Sequence, residues 1–206
     1  LALNGPSSPL VVGTDTTVDI QGTLSTANQG INLSAASSTL NNSGTVRQTG
    51  ATNTTGIGGL GSFNNSGLVE ASLWDISPTN FTSTNGTINN TGVDSYRFQI
   101  ASPNSNYAGT TTLNGNGVRL QRGNHTFSGP LVLGPTSRLN ITGGTVTFKQ
   151  GTNFSRPVEI NTPSFGVSEP ILNVDPGQTL TFSDGLNVSG TGVTMGGGGT
   201  FLVPVG

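Results

Sequence analysis

Leu40-Asn41-Asn42-Ser43-Gly44 decides the fold, because the chain repeats it. It returns as Phe63-Asn64-Asn65-Ser66-Gly67 and as Ile88-Asn89-Asn90-Thr91-Gly92. Looser copies are Leu113-Asn114-Gly115-Asn116-Gly117, Leu139-Asn140-Ile141-Thr142-Gly143 and Leu186-Asn187-Val188-Ser189-Gly190. Val18-Asp19-Ile20-Gln21-Gly22, and Ile160-Asn161 without its glycine, complete a series that starts at 18, 40, 63, 88, 113, 139, 160 and 186. The steps run from 21 to 26 residues, a period that signals a repeat architecture.

The motif has a physical reading. Its first, apolar residue points inward. Asn and Gly take positive φ most readily, so Asn-x-x-Gly bends the chain. Short β-branched or apolar runs follow, such as Gly44-Thr45-Val46, Gly67-Leu68-Val69 and Gly144-Thr145-Val146-Thr147-Phe148. Their alternation predicts strands with one buried face. A strand, bend and strand unit of this length is one coil of a parallel β-solenoid, stacked on the last at about 4.8 Å. The expected fold is therefore all-β, a parallel solenoid of about eight coils. Residues 1–17 lack the motif and read as an N-terminal cap or assembly strand, 18–190 as the solenoid, and 191–206 as a Gly-rich linker with a C-terminal strand.

Composition agrees. Only 31% of the 206 residues are hydrophobic and 8% are charged, low for a compact enzyme but tolerable for a thin-cored rod with many polar turns. Glycine is abundant, at 32 residues, yet disordered chains are charge-rich and lack a fixed apolar repeat. The net charge of −2 is scattered singly, with no basic stripe for nucleic acid. Without cysteine there is neither a disulfide framework nor a thiolate metal site. No apolar run is long enough to span a bilayer. A surface of Asn, Ser, Thr and Gly with little Lys reads as extracellular or cell-surface.

Stacking predicts neighbours. Arg47 and Glu70 share one offset from their motif starts, and Asp94 and Arg119 share another, so each pair should meet. Arg97 and Arg122 share a third and would repel. The repeat asparagines Asn41, Asn64, Asn89, Asn114, Asn140, Asn161 and Asn187 should form a hydrogen-bonded amide column along the rod. Five of them also begin N-x-[ST] sequons. Outside the repeat, Asn53, Asn80 and Asn85 are glycosylation candidates in loops.

Catalytic chemistry is hard to find. His125 is the only histidine and reads as a solvated turn residue. The nine carboxylates are mostly far apart in sequence, no cofactor motif has its context, and no metal-binding pattern appears. Gly56-Ile57-Gly58-Gly59-Leu60-Gly61 lacks the helix a dinucleotide loop needs. Thr145-Val146-Thr147 and Thr179-Leu180-Thr181 are two copies only, too few for an ice-ordering plane. Trp74 reads as a core aromatic. If exposed, it would line a glycan groove with Tyr96, Arg97 and Arg122. Phe148, Val158, Ile160, Ile171, Leu172, Val174, Leu180 and Phe182 read as buried.

The copies at 40, 63 and 88, each followed by Gly-Thr-Val, Gly-Leu-Val or a similar run, resemble the passenger repeats of bacterial autotransporter and filamentous-haemagglutinin-type adhesins. The resemblance covers residues 18–190. It implies a secreted, right-handed β-helical stalk used in adhesion or matrix building, without enzymatic activity. The sequence thus points to an extracellular structural or adhesive protein that pairs with copies of itself through rod ends or terminal strands. The alternative is a carbohydrate-binding or carbohydrate-cleaving β-helix, with surface glycans as partners.

Overall fold

The structure, a computed structural model, describes residues 2–3, 9–27, 29–50, 56–93, 98–161, 169–190 and 192–204. These residues form strands and turns with no helix. Every strand pairing is parallel. The chain winds as a β-solenoid of about eight turns, each turn contributing one strand to each of three faces.

One inward column runs the full length of the first face. Leu10, Ile31, Ile57, Ile76, Ile100, Leu120, Ile141, Ile160 and Val188 lie in register, one per turn. Their spacing varies from 19 residues (Ile57 to Ile76) to 28 (Ile160 to Val188), because turns change length while strands keep register. Trp74, Phe98, Val118, Leu139 and Val158 form the neighbouring buried column.

The second face starts at Val18, Leu40 and Phe63 and continues inward through Phe81, Ser105, His125, Val146 and Leu172. Inside it runs an aromatic stack. Ring centroids are 5.5 Å apart for Phe63–Phe81, 5.8 Å for Phe81–Tyr107, 4.1 Å for Tyr107–Phe127 and 5.0 Å for Phe127–Phe148, the range in which aromatic pairs attract. The third face buries Leu24, Val46, Val69, Ile88 and Leu113.

The repeat does not form the single column its spacing suggests. Leu40 and Phe63 share the second face, Ile88 and Leu113 share the third, and Leu139 and Leu186 lie on the first. Phe63 is followed one turn later by Phe81, only 18 residues on, and Ile88 belongs to the next side of the triangle. The same pentapeptide serves any corner, since every corner needs an inward apolar residue and then a bend.

The glycine of the motif acts differently from expectation. Gly44 and Gly67 do not take positive φ. A Cβ on Gly44 would lie 2.1 Å from the Gly22 carbonyl oxygen, and one on Gly67 would lie 2.1 Å from that of Gly44. Glycine is needed there because successive corners touch.

Pairing extends past the expected boundaries. Ala2–Leu3 pairs with Ser25 and Thr26, and Leu10–Val12 with Ile31–Leu33, so residues before 18 already belong to the first turn. Thr194–Gly196 and Thr200–Leu202 likewise pair with the preceding turn and form the last turn. Ile171, expected to be buried, is 38% exposed: it occupies an outward position beside Thr145.

Candidate functional site

Alternation puts one set of side chains outside on each face, and the three outsides differ in chemistry. On the third face, Arg47 Nε lies 2.7 Å from Glu70 Oε1, the pair that equal offsets predict. Asn89 Nδ2 donates to Glu70 Oε2 at 2.9 Å.

The first face carries an alternating ionic stripe. Asp75, Gln99, Arg119, Asn140, Glu159 and Asn187 follow one another outward, one per turn. Arg138 Nη1 lies 3.0 Å from Glu159 Oε1, and Asn140 Nδ2 donates to Glu159 Oε2 at 3.3 Å. Burial pushes the Asp75 carboxyl up, against a hydrogen bond from Gln99 and the charges of Arg119 and Arg122, which pull it down. Asp75 and Glu159 stand four turns apart, about 19 Å at the inter-strand spacing. Paired glycosidase carboxylates lie within about 10 Å, so these two are not a hydrolytic pair.

The second face is uncharged. From Thr39–Asn42 to Thr194–Gly196 its strands contain no Asp, Glu, Lys or Arg. Outward positions alternate with the core positions as polar-x-polar triplets: Thr39-x-Asn41, Ser62-x-Asn64, Asn80-x-Thr82, Asn104-x-Asn106, Asn124-x-Thr126 and Thr145-x-Thr147. The result is two parallel columns of amides and hydroxyls. Across the middle turns the surface dips into an open groove of about 370 Å³, lined by Asn80, Thr82, Asn104, Asn106, Asn124 and Thr126, with Ser128 and Lys149 at its rim.

The expected amide column is divided among the faces. Asn41 and Asn64 are joined, with Asn64 Nδ2 donating to Asn41 Oδ1 at 2.9 Å, on the second face. Asn89 and Asn114 are neighbours on the third. Asn140 and Asn187 lie on the first with Glu159 between them, and Asn161 lies beside Ser189, whose hydroxyl donates to it. The second asparagine of the motif is the buried one. Asn42 Nδ2 donates to Asn65 Oδ1 at 2.8 Å and to the Leu68 carbonyl at 3.0 Å, and Asn90 Nδ2 donates to the Gly117 carbonyl at 2.7 Å. These amides satisfy backbone groups at corners.

The expected aromatic and cationic groove does not assemble from the described residues. Trp74 is 1% exposed and offers no surface to a sugar. Arg122 is exposed at the corner between the first and second faces, with φ 61. Tyr96, Arg97, Asp94 and the sequon Asn53 lie outside the described residues. Asn85 sits at a corner with φ 59, its Oδ1 accepting from Thr110 N at 3.0 Å. Asn80 is exposed on a strand of the second face, not in a loop.

His125 is also placed differently from expectation. It is fully buried because its strand presents it inward between Ser105 and Val146. Its Nε2 is 2.7 Å from the Arg122 carbonyl oxygen. A carbonyl can only accept, so Nε2 carries the proton and Nδ1 accepts from the Tyr107 hydroxyl at 3.3 Å. Burial holds the imidazole down at about 4, against the hydrogen bond to Arg122, and pushes the Tyr107 phenol up. Sealed from solvent and neutral, His125 cannot reach a substrate.

No group of three or more metal-ligating His, Cys, Asp or Glu occurs among the described residues. No protein-family model matches the chain, and no curated protein or solved structure is similar enough to count as a match.

Proposed function

We propose that this chain is a non-enzymatic, extracellular structural and adhesive β-solenoid that extends by end-to-end association with further copies. The observation that carries the reading lies at the last turn. Val188 and Met195 continue the inward columns of Ile160 and Leu172, yet they are 42% and 41% exposed. Their strands present unpaired backbone on the outer edge, and such an edge recruits another strand. Adding the first turn of a second copy would cover these side chains and continue the ladder. The contact is head to tail, so it propagates as a filament. The repeat's likeness to adhesin passengers and the polar, charge-poor surface support the same reading.

The test is negative-stain microscopy and light scattering of the purified chain beside V188K/M195K. The chain should form rods that lengthen with concentration. The double variant, which puts two cations on the open core, should stay short. Wild-type protein that remains single rods at every concentration would contradict the proposal.

A further inference from the structure

The outward side of the second face divides into two parts. On its first turns the polar side chains satisfy one another. Asn64 donates to Asn41 at 2.9 Å, and Asn41 donates to Asp19 at 2.7 Å. On the next three turns the same side-chain types are left open. Asn80 reaches Ser62 only at 3.5 Å, Asn104 reaches Asn80 at 3.4 Å, and Ser128 reaches Asn106 at 3.5 Å, all at the weak end of hydrogen bonding. Asn124 and Thr126 make no side-chain hydrogen bond among the described residues. The groove lies over these open turns, beyond the closed ladder.

We propose that this groove binds an extended, neutral, β-linked polysaccharide lying along the rod. An amide offers a donor and an acceptor, and a hydroxyl does the same, so the surface complements a ligand that is itself rich in hydroxyls. The groups recur along the rod at about 4.8 Å and across it every second residue, so the ligand must also repeat. Charge is confined to the other two faces and to the Lys149 rim, which disfavours an acidic polymer. Nucleic acid needs a row of cations, and this surface has none. A protein partner would need an apolar centre, and the six lining side chains are amides and hydroxyls. Ordered water is the competing occupant. It asks for a flat, rigid plane, whereas this surface is concave and its amides have two rotatable bonds each. The site is on the flank of the rod and does not depend on end-to-end association.

The experiment is retention of the bacterially expressed, unglycosylated chain on insoluble β-linked glucan and β-linked N-acetylglucosamine polymers, with soluble galacturonan as the acidic control. At least one neutral polymer should retain the protein, equally at low and high salt. The variant N80A/N104A/N124A should bind about tenfold or more weakly, while N41A/N64A should bind like the parent. All three substituted positions are exposed, so circular dichroism and melting should be unchanged and a loss is not a folding failure. Folded protein that no neutral polymer retains would overturn the proposal. So would binding only to galacturonan that salt abolishes, equal binding by the triple variant, or thermal hysteresis without polymer binding.

Discussion

The Tyr107 hydroxyl meets His125 Nδ1 at 3.3 Å inside the rod, with the two rings 6.3 Å apart and nearly parallel. A polar pair thus sits within an otherwise apolar and aromatic column, closed on its far side by the Arg122 carbonyl. The corner at Arg122 and Gly123 has φ of 61 and 66, and it is this turn that supplies the buried carbonyl.

His125 should make the rod acid-sensitive. Its folded pKa is about 4, below the unfolded value of about 6.5. Above pH 6.5 both states are neutral and His125 contributes no pH dependence. Between 6.5 and 4 the unfolded state takes up a proton that the folded state refuses, so stability falls as pH falls. The shift corresponds to about 3 kcal/mol. Urea unfolding across this range should show the loss, and in His125→Leu this part of the slope should disappear whatever the variant's absolute stability.

Gly44 and Gly22 should respond oppositely to alanine. A Cβ on Gly44 collides with the Gly22 carbonyl, whereas one on Gly22 meets nothing within 4 Å. Gly44→Ala should cost at least about 2 kcal/mol, and Gly22→Ala should be near neutral. Thermal melts of the two variants decide this.

Ile100 sits fully buried in the middle of the first-face column. Ile100→Ala should cost about 2–5 kcal/mol. Ile171→Ala, at an exposed position of the same residue type, should cost well under that. Denaturant midpoints measured side by side would show the contrast.

Arg47 and Glu70 are close but half in solvent, with side-chain exposures of 44% and 20%. Arg47→Ala should change stability by about 0–1 kcal/mol, less in high salt. A larger loss would mean the pair does more than decorate the third face.

The solenoid was legible because strands keep a period of two while turns recur at a near-constant length. The Arg47–Glu70 contact was legible for a narrower reason: its two repeats, at 40 and 63, share a face. Between Phe63 and Ile88 the repeat moves to the next face, and every register argument beyond it slips. Arg119, expected beside Asp94, follows Gln99 and precedes Asn140. The same slip turned His125 outward on paper and hid the second-face groove. Its signal is present as polar-x-polar triplets at 39, 62, 80, 104, 124 and 145. Asn80-Phe81-Thr82 and Asn124-His125-Thr126 satisfy the sequon pattern, so a strand rung can be mistaken for a glycosylation site. Thr145-Val146-Thr147, taken alone as an isolated pair, is one rung of that series.

The central claim is the register of the turns, and cysteine cross-linking tests it most directly because the chain has no cysteine of its own. Asn64 faces Thr82 on the adjacent strand, within the Cα separation a disulfide allows, whereas Asn89 lies on another face. Under mild oxidation N64C/T82C should close a disulfide in the folded protein and N64C/N89C should not. Closure of N64C/N89C with N64C/T82C remaining reduced would contradict the account.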